Sequence, residues 1–180
     1  MSVATVIGVF ASTSHTFSKF PKGYINLVAC LGVEGDAHHG STVQHVWDKR
    51  KDPDRPNLRQ VHLLDAEILA EVNGKGFQVQ PGDLGENITT SGIDLRALST
   101  GTMLHIGDEA IIGVTGLRSP CIQIERFQRG LKDQFSERPL DAPIVHKAGI
   151  MSVVFRGGLV RPGDPIVPHY AGSHVPLVAV

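Results

Sequence analysis

The segment Arg118-Ser119-Pro120-Cys121-Ile122 holds the residue best suited to chemistry, a cysteine directly after a proline and three positions after an arginine. Proline at the first helical position has its φ pre-set and lacks an N–H that would go unsatisfied. The segment therefore predicts a short helix over Ile122 to Gln128, ended by Gly130, with Cys121 in its first turn. The helix dipole and the Arg118 guanidinium would both favour a thiolate there. A thiolate is what a nucleophile, a sulfur carrier or a soft-metal ligand requires. The competing reading is a buried structural cysteine, the usual state of a free thiol. Cys30 lies inside the apolar run 26–33 and reads as such a buried residue. A disulfide joining the two has nothing to support it, because sequence does not give their separation.

Asp36, His38, His39 and His45 form a second cluster, with the imidazole and carboxylate groups that hold Zn²⁺. Their spacing matches no standard zinc motif. Hydrogen-bonding histidines beside a glycine turn, or donors to an anionic ligand, are the other readings. The third cluster is Gly82-Asp83-Leu84-Gly85-Glu86-Asn87-Ile88-Thr89-Thr90. Its glycines let backbone N–H groups approach a ligand, and Asn87 and Thr89 add polar groups suited to phosphate or heterocycle edges. It lacks the G-K-[ST] of a Walker A loop, and a plain strand-turn motif accounts for it equally well.

Short elements must position these groups. Val3 to Phe10 reads as a first strand, followed by a polar, turn-rich loop over 11–23 that is a candidate site wall. Asp48 to Asn57 reads as an exposed, mobile charged loop. Gln60 to Leu64 is a strand by composition, and Asp65 is placed to N-cap a helix with Ala66, Ile68, Leu69 and Val72 on one stripe. Thr102 to Ile106 and Ala110 to Thr115 flank Gly107-Asp108-Glu109 as a hairpin, and Ile150 to Arg156 and Leu159 to Val167 supply later strands. Seven or more short strands with two or three short helices predict a mostly β fold, a closed, mainly antiparallel barrel, in preference to a βαβ sheet.

Composition sets the outer bounds. The chain has 180 residues, 41% of them apolar and 19% charged, which is the range of one globular domain and excludes a disordered or disulfide-built protein. Seventeen Lys+Arg against 18 Asp+Glu gives a net charge of −1, without the basic excess expected of a nucleic-acid or anionic-membrane binder. No apolar run is long enough to span a bilayer. Two cysteines suit a reducing compartment, and a cytoplasmic location is expected.

Five segments, 32–40, 59–69, 81–98, 101–121 and 149–164, then fall into a familiar order. With Gly85-Glu86-Asn87-Ile88-Thr89-Thr90 and the Arg118-x-Pro120-Cys121 pairing, the chain resembles the MOSC family in its stand-alone bacterial form. The resemblance covers about residues 1–168 as one barrel domain, with 169–180 as a C-terminal tail that packs or frays. It implies binding of a pterin-based molybdenum cofactor, molybdopterin, with Cys121 as molybdenum ligand and catalytic residue. Asp36, His38, Asn87, Thr89 and Arg118 are then the expected cofactor contacts. One implied activity is the reduction of N-hydroxylated substrates, with electrons from a redox partner protein. The alternative is a sulfur or cofactor carrier that uses a Cys121 persulfide without catalysis of its own. A histidine-cluster metal hydrolase is the third reading. Two departures stand out: the segment between His39 and Arg59 is longer and more charged than in the plainest relatives, and no second cysteine follows Cys121.

Overall fold

The computed structural model describes residues 3–138, 140, 144–170 and 172–180, and for residues 46–48 the backbone alone. The expected domain and tail bounds include residues 1–2, 139, 141–143 and 171, which lie outside the described residues. The strands are β1 (Thr5–Ala11), β2 (Phe20–Lys22), β3 (Ile25–Val28), β4 (Gly32–Val33), β5 (Val61–Asp65), β6 (Ile88–Ser91) and β7 (Met103–Ile106). Then come β8 (Ala110–Leu117), β9 (Ser136–Glu137), β10 (Val145–His146), β11 (Ile150–Arg156), β12 (Gly158–Val160) and β13 (Ile166–His169). Four helices, α1 (Val46–Lys51), α2 (Ala66–Gly74), α3 (Ile122–Phe127) and α4 (Leu131–Gln134), lie among them.

The mostly β composition with few helices is as expected, but the closed barrel is not. Eight strands hydrogen-bond in the order β13-β7-β8-β11-β5-β6-β1-β2, an open mixed sheet, and β12-β3-β4 and β10-β9 form two smaller ones. Every pair in the large sheet is antiparallel except β5 with β6, which run parallel with α2 in the connection. Parallel neighbours need such a crossover, so the chain does contain one βαβ unit. The end of the sheet approaches β1 at one corner, where Thr5 and Pro165 form an isolated bridge and Val6 N donates to the Asp164 carbonyl. Gly163 N also donates to the Val6 carbonyl and Ile166 N to that of Ala4, and the pairing goes no further. Pro162, Pro165 and Pro168 lack the N–H groups that a strand bonded on both edges requires, and β2 already covers β1 over Val9–Ala11.

Strand β5 is buried along its whole length, because both of its faces are covered. Its period of two sends Val61 and Leu63 into the sheet's own core and Leu64 into a second core. That second core is helical: Ile68, Leu69 and Val72 of α2 pack with Leu64, Ile124, Leu131 and Phe135, and Cys121 packs at its margin. The same alternation turns His62 of β5 and Met151 of β11 outward, toward a large cavity.

Three local expectations need correction. Asp65 stands at the N-cap of α2 but makes no side-chain cap bond; its carboxylate accepts instead from Leu95 N. Cys30 is exposed, in the tight turn between β3 and β4 at φ 63°, because the apolar run 26–33 folds into a hairpin and its tip meets water. The charged stretch after His45 begins as helix α1, whose basic last turn, Lys49 to Lys51, complements the helix dipole. The tail lies on the sheet, with Leu117 N donating to the Val178 carbonyl and Thr100 N to that of Val175.

Burial, with Asp94 and Glu67 nearby and against the bond from Leu95 N, pushes the Asp65 carboxyl up to about 7. The folded state thus holds a proton that the unfolded chain releases near pH 4, and stability falls as pH rises from 4 through 7. Asp65→Asn keeps the acceptor for Leu95 N and removes the charge. It should stabilise the protein at pH 8 by up to about 4 kcal/mol and change little at pH 4, as read by denaturant melts at the two pH values. Cys30→Ser should stay within about 0.5 kcal/mol of the parent in the same measurement, whereas a buried cysteine would cost more.

Candidate functional site

The cavity has a volume of about 850 Å³ and is walled by segments far apart in sequence. Residues 15–19 follow β1, His38 follows β4, Gly85 and Asn87 lead into β6, and Arg118 to Cys121 connect β8 to α3.

Its floor is organised by the Asp36 carboxylate. Lys19 Nζ lies 2.9 Å from Oδ2 with both side chains almost wholly out of water. Oδ2 also accepts from Ser12 N at 3.2 Å and from Asn87 Nδ2 at 3.2 Å. Oδ1 accepts from His38 N at 3.0 Å and from His38 Nδ1 at 3.1 Å. Burial alone would push this carboxyl up, but the bonds from His38 and the Lys19 charge hold it below the usual carboxylate range. Burial in turn draws the Lys19 ammonium down, against the pull of Asp36. An ionised Asp36 accepts only, so His38 Nδ1 carries the proton and Nε2 is left for the cavity. The His15 ring meets His38 edge-on at 5.1 Å.

Asn87 ties this floor to the sheet. Its Nδ2 also donates to the Phe10 carbonyl and its Oδ1 accepts from His62 N, which joins β1, β5 and β6. Glu86 turns away from the cavity. One of its oxygens accepts from Gly82 N at 2.6 Å and from Thr89 Oγ1 at 3.0 Å, and burial pushes its carboxyl up. Gly82 and Gly85 hold φ of 91° and 82°, where a side chain would be strained, and a Cβ on Gly85 would strike the Phe17 carbonyl. The Gly-Glu-Asn-x-Thr segment thus builds a rigid turn and places Asn87.

Cys121 is the N-cap of α3, extended in backbone, and Pro120 precedes the cap; the expected first-turn position is therefore one step off. Arg118 Nη2 lies 3.9 Å from Cys121 Sγ, and the thiol is 3.6 Å from Gln123 Oε1. Arg118 Nη1 is buried without a hydrogen-bond partner among the described residues. Burial draws the guanidinium down, with Cys121 and Glu86 opposing, and holds the His62 imidazole well below its ordinary value and neutral. His62 Nε2 donates to the Ala148 carbonyl at 2.8 Å.

Of the six residues singled out from sequence, His38, Asn87, Arg118 and Cys121 line the cavity together. Asp36 lies behind it as the carboxylate that positions three of the walls, and Thr89 is fully buried against Glu86. His39 Nδ1 is spent on the Val33 carbonyl. Among the described residues no group of three His, Cys, Asp or Glu side chains could hold a metal ion, so the histidine cage does not form. Sequence reasoning missed Lys19, His62 and the cationic lining. Five Lys or Arg side chains (Lys19, Arg50, Arg59, Arg118 and Arg126) border the cavity, and no Asp or Glu does among the described residues. The loop 11–23 carries two lysines, Lys19 and Lys22, and nothing in its residue types marks Lys19 as the buried one.

Asp36→Ala should destabilise the protein by roughly 3–5 kcal/mol, because it strands the buried Lys19 charge. The double change Lys19→Met with Asp36→Leu should recover most of that loss in urea melts at pH 7, since the pair rather than either charge fits the site.

The YuaD protein of Bacillus subtilis is similar in structure, with a TM-score of 0.76 and 26% identity over 94% of this chain and 97% of that one. YiiM of Geobacillus stearothermophilus shares the fold at TM-score 0.66 and 15% identity, covering 97% of this chain and 79% of that one. YiiM of Escherichia coli does so at 0.63 and 21%, covering 98% and 74%. No curated protein matches the sequence. The MOSC domain family matches residues 35–167, the span that carries Asp36, His38, the rigid turn and the cysteine. The chain belongs to the MOSC domain family.

Proposed function

We propose that the chain binds a pterin-based molybdenum cofactor in this cavity, with the Cys121 thiolate as protein ligand to molybdenum, and reduces N-hydroxylated compounds. The observation that carries this reading is a free thiol beside a guanidinium whose buried Nη1 has no partner among the described residues, both opening on a cavity that no described Asp or Glu lines. The donor set fits the group. A soft sulfur suits molybdenum, and anionic sulfur and phosphate suit a cationic wall. Cys121 offers one protein donor, so the remaining ligands come with the pterin.

When bound, the cofactor supplies the centre that passes two electrons. The protein's own groups do the rest. Arg118 donates to the Cys121 sulfur and keeps a positive charge against it. His38, fixed by Asp36, holds or hands over a proton at Nε2. Neutral His62 and Asn87 close the floor against water. The overall change is R–NHOH + 2e⁻ + 2H⁺ → R–NH₂ + H₂O. The electrons come from a separate donor protein, because two cysteines cannot form an iron–sulfur ligand set. Cys30, exposed and unpaired, supports a reducing, cytoplasmic setting, and no helix among the described residues is long and apolar enough to cross a membrane.

Protein isolated from a molybdate-fed host should carry molybdenum and pterin in matching amounts by elemental analysis and pterin fluorescence. Cys121→Ser should lose most of the molybdenum while its circular dichroism stays that of the parent. Zinc alone, or a Cys121 persulfide without metal, would overturn the proposal. A loaded protein that leaves an N-hydroxylated base unchanged under a chemical reductant would point to the carrier role instead.

A further inference from the structure

Strand β7 alternates between core and water: Leu104 and Ile106 are fully buried, so Met103 and His105 face outward. Its edge partner β13 does the same, with Ile166 buried and Val167 and His169 exposed. The register sets Val167 opposite His105 and His169 opposite Met103, which makes the two histidines diagonal neighbours on one face. Their rings meet at 4.2 Å between centres, tilted by 45°. Both side chains are exposed, and among the described residues no ring nitrogen of either has a hydrogen-bond or ion-pair partner. Neither residue lines the cavity. We infer that this face of the β7–β13 pair is a binding site for a divalent copper ion, with His105 and His169 as its two imidazole ligands.

The spacing of the rings selects the ion. Imidazole nitrogen binds a first-row divalent metal at about 2.0–2.1 Å, which sets two ring centres about 4.5 Å apart at a right angle and about 5.2 Å apart at the tetrahedral angle. The observed 4.2 Å fits the right angle. Right-angled nitrogens belong to the tetragonal field of copper(II) or nickel(II), whereas zinc takes the tetrahedral one. Copper stands above nickel in the affinity order of nitrogen and oxygen sites. A weak axial thioether is also a recurrent companion of copper, and Met103 lies directly across the ladder from His169, only partly buried. Its sulfur sits over Gly113 together with the Phe155 ring, in space that a Cβ on Gly113 would take. Two nitrogens make an open chelate on the surface, not the closed cage of three or four residues that a structural metal needs.

The site shares no residue with the molybdenum reading and stands or falls apart from it. The probe is copper(II) alone, added at pH 7 to the full chain in a Cys30→Ser, Cys121→Ser background, so that neither thiol binds or reduces the ion. One ion per chain should bind, and its paramagnetic resonance should carry the coupling of two imidazole nitrogens. Zinc, titrated calorimetrically in the same way, should bind about tenfold or more weaker. His105→Ala and His169→Ala should each lower the copper affinity about tenfold or more and leave at most one imidazole in the spectrum. Both side chains are exposed, so the circular dichroism of these variants should stay that of the parent. His146→Ala, on β10 and outside the pair, should change neither affinity nor spectrum. A histidine variant of the pair that binds copper like the parent, a parent spectrum with fewer than two imidazole nitrogens, or zinc bound as tightly as copper would overturn the inference.

Discussion

The site depends on one buried ion pair. Lys19 and Asp36 are both withdrawn from water, and a pair so placed offsets its desolvation only if every remaining lone pair is met. Here the carboxylate is met by five donors from four residues on three separate stretches, Ser12, Lys19, His38 and Asn87. The polar contacts are therefore mutually dependent. His38 has its orientation because Asp36 is ionised, Asp36 is ionised because the bonds from His38 and the Lys19 charge hold it so, and Asn87 locks the group to the sheet. A saturated carboxylate has no lone pair left to offer, which makes Asp36 a positioning group and leaves His38 as the one of the two that faces the cavity.

How much of this could be read from the chain alone differs by element. The hairpin over β7 and β8, the strand β11 and the helix α2 carry clear periodicity and turn residues, and they stand where those signals put them. Cys121, Arg118, Asn87 and His38 converge because each sits at the end of a short strand or in a connecting loop, where one rim collects them. What failed was long-range pairing. Whether the last strand closes on the first depends on which N–H groups face which edge, and the three prolines from 162 to 168 decide it by removing donors. Burial of Cys30 was read from hydrophobic neighbours, but a three-residue hairpin tip exposes it. The pairing of Lys19 with Asp36 spans 17 positions and leaves no periodic trace.

Charge shows the same divide between composition and placement. A net charge of −1 describes the whole surface, whereas the cavity lining is wholly cationic among its described charged residues. The acidic groups have been used elsewhere, with Glu71 and Glu137 gathered on the buried Lys147 and Glu67 on Ser91 and Gly92. Segregation of this kind directs a local field without altering the sum.

The central place of β5 bears on how the chain reaches this state. Its neighbours in the sheet are β6, 23 residues beyond its end, and β11, which begins at Ile150. A nascent chain can therefore form the β5-α2-β6 crossover early, yet one edge of β5 stays open until β11 has been made. Contacts of such wide sequence separation close slowly, because loop entropy is lost before they form. The cavity wall shared by His62 and Met151 is assembled only at that late step. The cavity is thereby complete only in molecules that have completed their sheet.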